Sequence, residues 1–96
     1  MHVITRKRLL EFAEKHPHSA EPLDRWYRTV KRIRYNSFTA LRKDFPSADV
    51  VGEFIVFNIA GNKYRLITAI HFNRGIIFIR HVLTHKQYNK NKWKKN

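Results

Sequence analysis

Ninety-six residues suffice for one domain with a modest hydrophobic core, and a hydrophobic fraction of 43% argues for a folded chain. A formal net charge of +13 is extreme at this size and predicts self-repulsion unless an anionic partner, most commonly nucleic acid, neutralises it. The absence of cysteine excludes disulfides, thiolate metal ligands and a thiol nucleophile. No apolar run approaches the roughly 18 residues of a membrane span, and no signal-peptide core is present, so a cytoplasmic protein without a membrane partner is expected.

In chain order, His2-Val3-Ile4 suits a short edge strand. Thr5 is placed to cap a helix from about Arg6 to Lys15 that turns Leu9, Phe12 and Ala13 to one side, and Pro17 stops it. Ser19 is placed to cap a second helix, with Pro22 in the first turn where a missing N–H is harmless. Leu23, Trp26, Tyr27, Val30 and Ile33 then recur at three- and four-residue spacing, which predicts a buried stripe with Trp26 in the core. The opposite side carries Arg25, Arg28, Lys31 and Arg32. A third helix is expected over Phe38–Asp44, capped by Ser37 and closed by Phe45-Pro46, with residues 46–52 as a loop.

From Phe54 to Tyr88, Val, Ile, Phe and Tyr dominate, and turn residues at Gly61-Asn62 and Asn73-Arg74-Gly75 divide the stretch into three strands. The fold class expected is α+β: a mainly antiparallel sheet of three to four strands with two or three helices packed on one face. Residues 1–96 form one domain, of which 89–96 are a basic tail; Trp93 there is either disordered or docked on RNA with its lysines.

Strand parity sorts the side chains. One face collects Ile55, Phe57, Ile59, Tyr64, Leu66, Ile70, Phe72, Ile77, Ile79 and Leu83 and should meet the helices. The other collects Phe54, Val56, Asn58, Arg65, Ile67, Ala69, His71, Phe78, Arg80 and Val82. This puts Arg65 and Arg80 on one surface of neighbouring strands, an arrangement suited to a phosphate group. His71 reads as a half-buried structural residue and His81 as a core histidine. The assignment holds for a ladder without a bulge.

All seven carboxylates precede Phe54, while nine Lys and Arg residues follow it. Neither a carboxylate cluster nor the spacing of the six histidines suggests a metal site, and no glycine-rich phosphate loop is present, so no cofactor is expected. What remains is Arg65, Arg80, His85, Lys86 and Tyr88, with Lys63 nearby. RNA brings its own nucleophile, the 2′-hydroxyl, so such a set needs only to stabilise phosphorane charge and move protons.

The blocks Val56-Phe57-Asn58-Ile59, Gly61-Asn62-Lys63-Tyr64-Arg65-Leu66-Ile67, Ile79-Arg80-His81-Val82 and Thr84-His85-Lys86-Gln87-Tyr88-Asn89 resemble the signature of HigB-type toxins of the RelE-like superfamily. The resemblance spans nearly the whole chain. It implies cleavage of mRNA in the ribosomal A site, inhibition by a HigA-like helix-turn-helix antitoxin, and contact with operator DNA through that complex. By the same resemblance Arg65, Arg80, His85 and Tyr88 are catalytic candidates, with the acid and base unassigned. Lys63, Lys86, Asn58, Arg28 and Arg32 are candidate RNA contacts. A non-catalytic ribosome-binding protein is the second reading; a DNA-binding repressor is the third, weakened by the lack of a recognition helix.

Overall fold

In a computed structural model, which describes residues 1–95, the elements run β1 (His2–Ile4), α1 (Lys7–Lys15), α2 (Ala20–Arg32), α3 (Phe38–Asp44), β2 (Asp49–Val51), β3 (Phe54–Ile59), β4 (Tyr64–His71), β5 (Ile76–Thr84) and α4 (His85–Asn89). Single 3-10 turns at Pro17–Ser19 and Lys92–Lys95 complete the chain. The α+β class and the three long strands are as expected. The sheet has five strands in the order β1-β5-β4-β3-β2, antiparallel except for the parallel β1–β5 pair. The additional strand, β2, formed part of an expected loop. It is too short and too exposed to carry a burial pattern of its own. No helix among the described residues is long and apolar enough to cross a membrane.

The helices start and stop for local reasons that partly differ from those expected. Ser37 caps α3 by accepting from the Ala40 N–H at 3.1 Å. Thr5 does not cap α1; it takes a positive φ of 74° at the strand-to-helix corner, and Arg6 occupies the cap position. Ser19 holds the cap position of α2, but its buried hydroxyl donates to the His16 carbonyl instead. Gly75 suits its turn, whose positive φ L side chains rarely adopt. Its φ is +68°, and a Cβ there would come within 2.8 Å of the Arg34 guanidinium, which donates to the Phe72 and Asn73 carbonyls.

The main core lies between the sheet and α1–α3, where Leu9, Leu23, Trp26, Val30 and Leu41 meet Phe57, Leu66, Ile77 and Ile79. Phe57 sits at its centre, edge-on to Trp26 at 5.3 Å and to Phe45 at 5.2 Å between ring centroids. A second, smaller cluster covers part of the opposite sheet face. There Trp93 packs with Val56 and Ile67, flanked by Phe54, Leu83 and Tyr88. Its indole N–H donates to the Tyr88 carbonyl at 3.0 Å, and only 4% of the residue is exposed. Trp93 therefore belongs to the fold.

Truncating Trp93 should cost what emptying a buried aromatic site costs. Trp93→Ala is expected to lower the unfolding free energy by about 3 kcal/mol in urea titration, and Trp93→Phe by clearly less. Equal midpoints for wild type and Trp93→Ala would show that the segment is not docked.

Candidate nucleic-acid interface

The sheet face away from α1–α3 carries the candidate site, and its layout is set by one irregularity in β5. The β4–β5 ladder pairs Ile67 with His81 and Thr68 with Ile79, leaving Arg80 without a partner. An extra residue in one strand resets the alternation beyond it. Ile79 and Ile77 stay in the main core, as parity predicts. Past the bulge, Val82 packs with the main core and Leu83 with the opposite cluster, the reverse of the expected assignment. His81 likewise turns from the core to the Arg80 face. His71 also departs from expectation: it is exposed, edge-on to Phe78 at 5.4 Å.

Arg65 and Arg80 thus share a face, but they occupy different neighbourhoods. Arg65 pairs with Leu83, so Arg80 lies roughly 10 Å further along the strand direction at ~3.3 Å per residue. Arg65 is only 9% exposed. Its guanidinium donates to the Asn62 carbonyl at 3.1 Å, to Asn62 Oδ1 at 3.0 Å and to the Tyr64 carbonyl at 3.3 Å. It also lies 5.2 Å from the centroid of the Tyr88 ring. Tyr88 in turn stacks on Trp93, with centroids 5.1 Å apart and planes 16° from parallel. An arginine held this way braces an aromatic platform.

The Thr84-to-Tyr88 block explains how Tyr88 returns to the sheet. Thr84 Oγ1 accepts from the Gln87 N–H at 3.2 Å, and Gln87 Oε1 accepts from the Thr84 N–H at 3.0 Å. This capping box starts α4 directly from the end of β5. The His85 N–H donates to the Lys63 carbonyl at 3.0 Å, which ties α4 to the β3–β4 turn. Lys63, His85 and Lys86 are exposed at this end of the face, and Asn58 stands opposite Arg65 on β3.

Arg80 is exposed, and no ion pair among the described residues engages it. It lines an open cleft of about 300 Å³ with Arg8, Glu53, Phe54, Ala69 and His81. Arg8 reaches it from α1, donating to the Arg80 carbonyl at 2.6 Å across the part of β5 that β1 leaves uncovered. His81 lines this cleft and two neighbouring ones, one against α1 and one against the C-terminal segment. Burial, then the positive charges of Arg8 and Arg80, lower the pKa of His81 below the ordinary histidine value.

Three features of this region lie outside the sequence reading. Arg8 is 72 positions from Arg80, with no local signal to connect them. Glu53 closes the acid-free stretch at its edge and reaches the Arg80 cleft. His81 changes face through the bulge. The remaining candidates, Arg28 and Arg32, sit on α2 in the helical layer, remote from Arg65 and Tyr88, and Arg28 pairs with Asp24 at 3.0 Å.

The two arginines should separate in stability measurements. Arg65→Lys loses the planar fork that serves Asn62 and is expected to cost about 1–3 kcal/mol. Arg80→Ala should leave the urea midpoint nearly unchanged. Equal losses in the two variants would contradict the braced and free roles assigned to them.

Comparison with known proteins gives a consistent answer. Residues 19–91 match the family model described as HigB_toxin, RelE-like toxic component of a toxin-antitoxin system. The mRNA interferase toxin HigB of Escherichia coli K12 is 34% identical over 91 residues, covering 92% of this chain and 88% of that protein. The mRNA interferase HigB of Shigella flexneri shows the same identity and coverage. The mRNA interferase HigB of Escherichia coli O6:H1 is 30% identical over 93 residues, covering 94% and 90%. The matched residues run from α2 through the sheet to α4 and include every site residue expected from the sequence: the chain belongs to the HigB family of RelE-like toxins.

Proposed function

We propose that this chain is the toxin of a toxin–antitoxin pair and acts as an endoribonuclease on mRNA at the ribosome. The observation that carries this reading is the pairing, on one sheet face, of an exposed Arg80 flanked by Arg8 with a Tyr88 ring braced by Arg65. Arg80 supplies charge to the non-bridging oxygens of the scissile phosphate as the phosphorane forms. Tyr88, fixed between Arg65 and Trp93, offers a ring edge and a hydroxyl that can hydrogen-bond the adjoining nucleotide. Lys63, Lys86 and the His85 imidazole bind the strand at the same end, while Asn58 contacts it from β3. The attacking group is the 2′-hydroxyl of RNA itself.

On this reading Arg28 and Arg32, in the other layer, contact ribosomal RNA instead of the scissile strand. Membership of the family brings an antitoxin partner. A HigA-like helix-turn-helix protein fits that role, with operator DNA reached through the complex. The relatives' name, mRNA interferase, supports the choice of substrate.

Induced expression of the wild type should arrest growth and fragment mRNA. Arg80→Ala and Tyr88→Ala should relieve both while remaining soluble and folded. Growth arrest with intact mRNA would favour a non-catalytic ribosome-binding protein, and full toxicity of both variants would sink the site assignment. Ribosome affinity should also fall steeply with salt, the logarithmic slope being roughly −0.7 for each single-strand phosphate contact. A flat salt response would count against electrostatic recognition.

A further inference from the structure

We propose that His81 is the general base that removes the 2′-hydroxyl proton, an inference that rests on the endoribonuclease reading above. Three observations place it there. The β5 bulge sets the His81 side chain beside Arg80 on the same face, where regular alternation would have put it in the core. His81 borders all three clefts at this end of the sheet, so an RNA strand crossing the Arg80 cleft passes its ring. Arg80 and Arg8 flank it, so a phosphate gripped by these guanidiniums holds its neighbouring ribose within reach of the imidazole.

The electrostatics suit the role. From α1, Arg8, Lys15, Glu11 and Glu14 face the histidine; Arg80 does so from β5. Glu53 approaches from the turn before β3, and Lys90 and Lys92 from the C-terminal segment. Partial burial and the two arginines favour the neutral ring, which is the proton-accepting form. Glu53 is the rival base, since it shares the Arg80 cleft.

The step balances without an added reagent. A ring nitrogen of His81 takes the 2′-hydroxyl proton as the O2′–P bond forms. The P–O5′ bond then breaks, and the departing 5′-oxygen takes a proton from solvent. A 2′,3′-cyclic phosphate and a 5′-hydroxyl end remain, and imidazolium returns its proton to solvent.

The test uses the full chain and ribosomes programmed with a defined mRNA. Wild-type kcat/KM should rise with pH along an acidic limb whose midpoint lies below the ordinary histidine value, because that profile reports the free enzyme. His81→Gln should lower kcat about 100-fold or more, change ribosome affinity by less than about threefold, and abolish the limb. Glu53→Gln should keep the limb in place. Direct NMR titration of the His81 ring in the wild type, which needs no variant to fold, should give the same midpoint.

A His81→Gln enzyme that retains the rate and the limb overturns the proposal. So does a limb that disappears in Glu53→Gln, or an NMR midpoint that differs from the kinetic one. Failure of the wild type to cleave would remove the endoribonuclease reading and this inference together. Cleavage that is indifferent to His81 would remove this inference alone.

Discussion

The candidate site depends on one extra residue in β5. A strand presents alternate side chains to opposite faces, so one unpaired position reverses every assignment that follows it. Here the unpaired position is Arg80. Before it, Ile77 and Ile79 feed the main core. After it, Val82 takes over that duty, while His81 and Leu83 turn outward. The core accepts the reversal because Val82 and Leu83 are both apolar, so either satisfies the burial on either side. The consequence for chemistry is larger, since a histidine moves from a core position to a place beside two arginines.

The same face divides into two parts with different physical characters. Around Arg65 the groups are packed and committed: three hydrogen bonds to the β3–β4 turn, the Tyr88 ring, and the Trp93 indole behind it. A guanidinium so engaged is preorganised but has little freedom to follow a ligand. Around Arg80 the surface is open and its charge is not neutralised by an ion pair among the described residues. On the proposed function, positioning falls to the first part, which includes Trp93, and phosphate recognition to the second.

Charge is distributed to match. The ion pairs of the described residues, Arg6 and Arg28 with Asp24 and Arg25 with Glu21, all tie α1 or α2 to α2. They are exposed and contribute little stability, and their carboxylates offset part of the positive charge of the helical layer. Lys63, Arg80 and Lys86 take part in no ion pair among the described residues, although Glu53 borders the Arg80 cleft.

By itself the sequence determined the first three helices, the three long strands, the core stripe of α2 and the basic character of the C-terminal half. Each follows from local periodicity, from caps such as Ser37, and from a charge count that folding cannot change. The turn and strand around Arg65 were legible for the same reason, while the Tyr88 block was read through its family resemblance and its capping-box helix, α4, was not among the expected elements. Tertiary structure alone decided the pairing of the exposed β2, the reach of Arg8 to the Arg80 carbonyl, the burial of Trp93 and the outward turn of His81. These depend on which strands meet and where their registers slip, and a bulge without a glycine leaves no mark in the residues that form it.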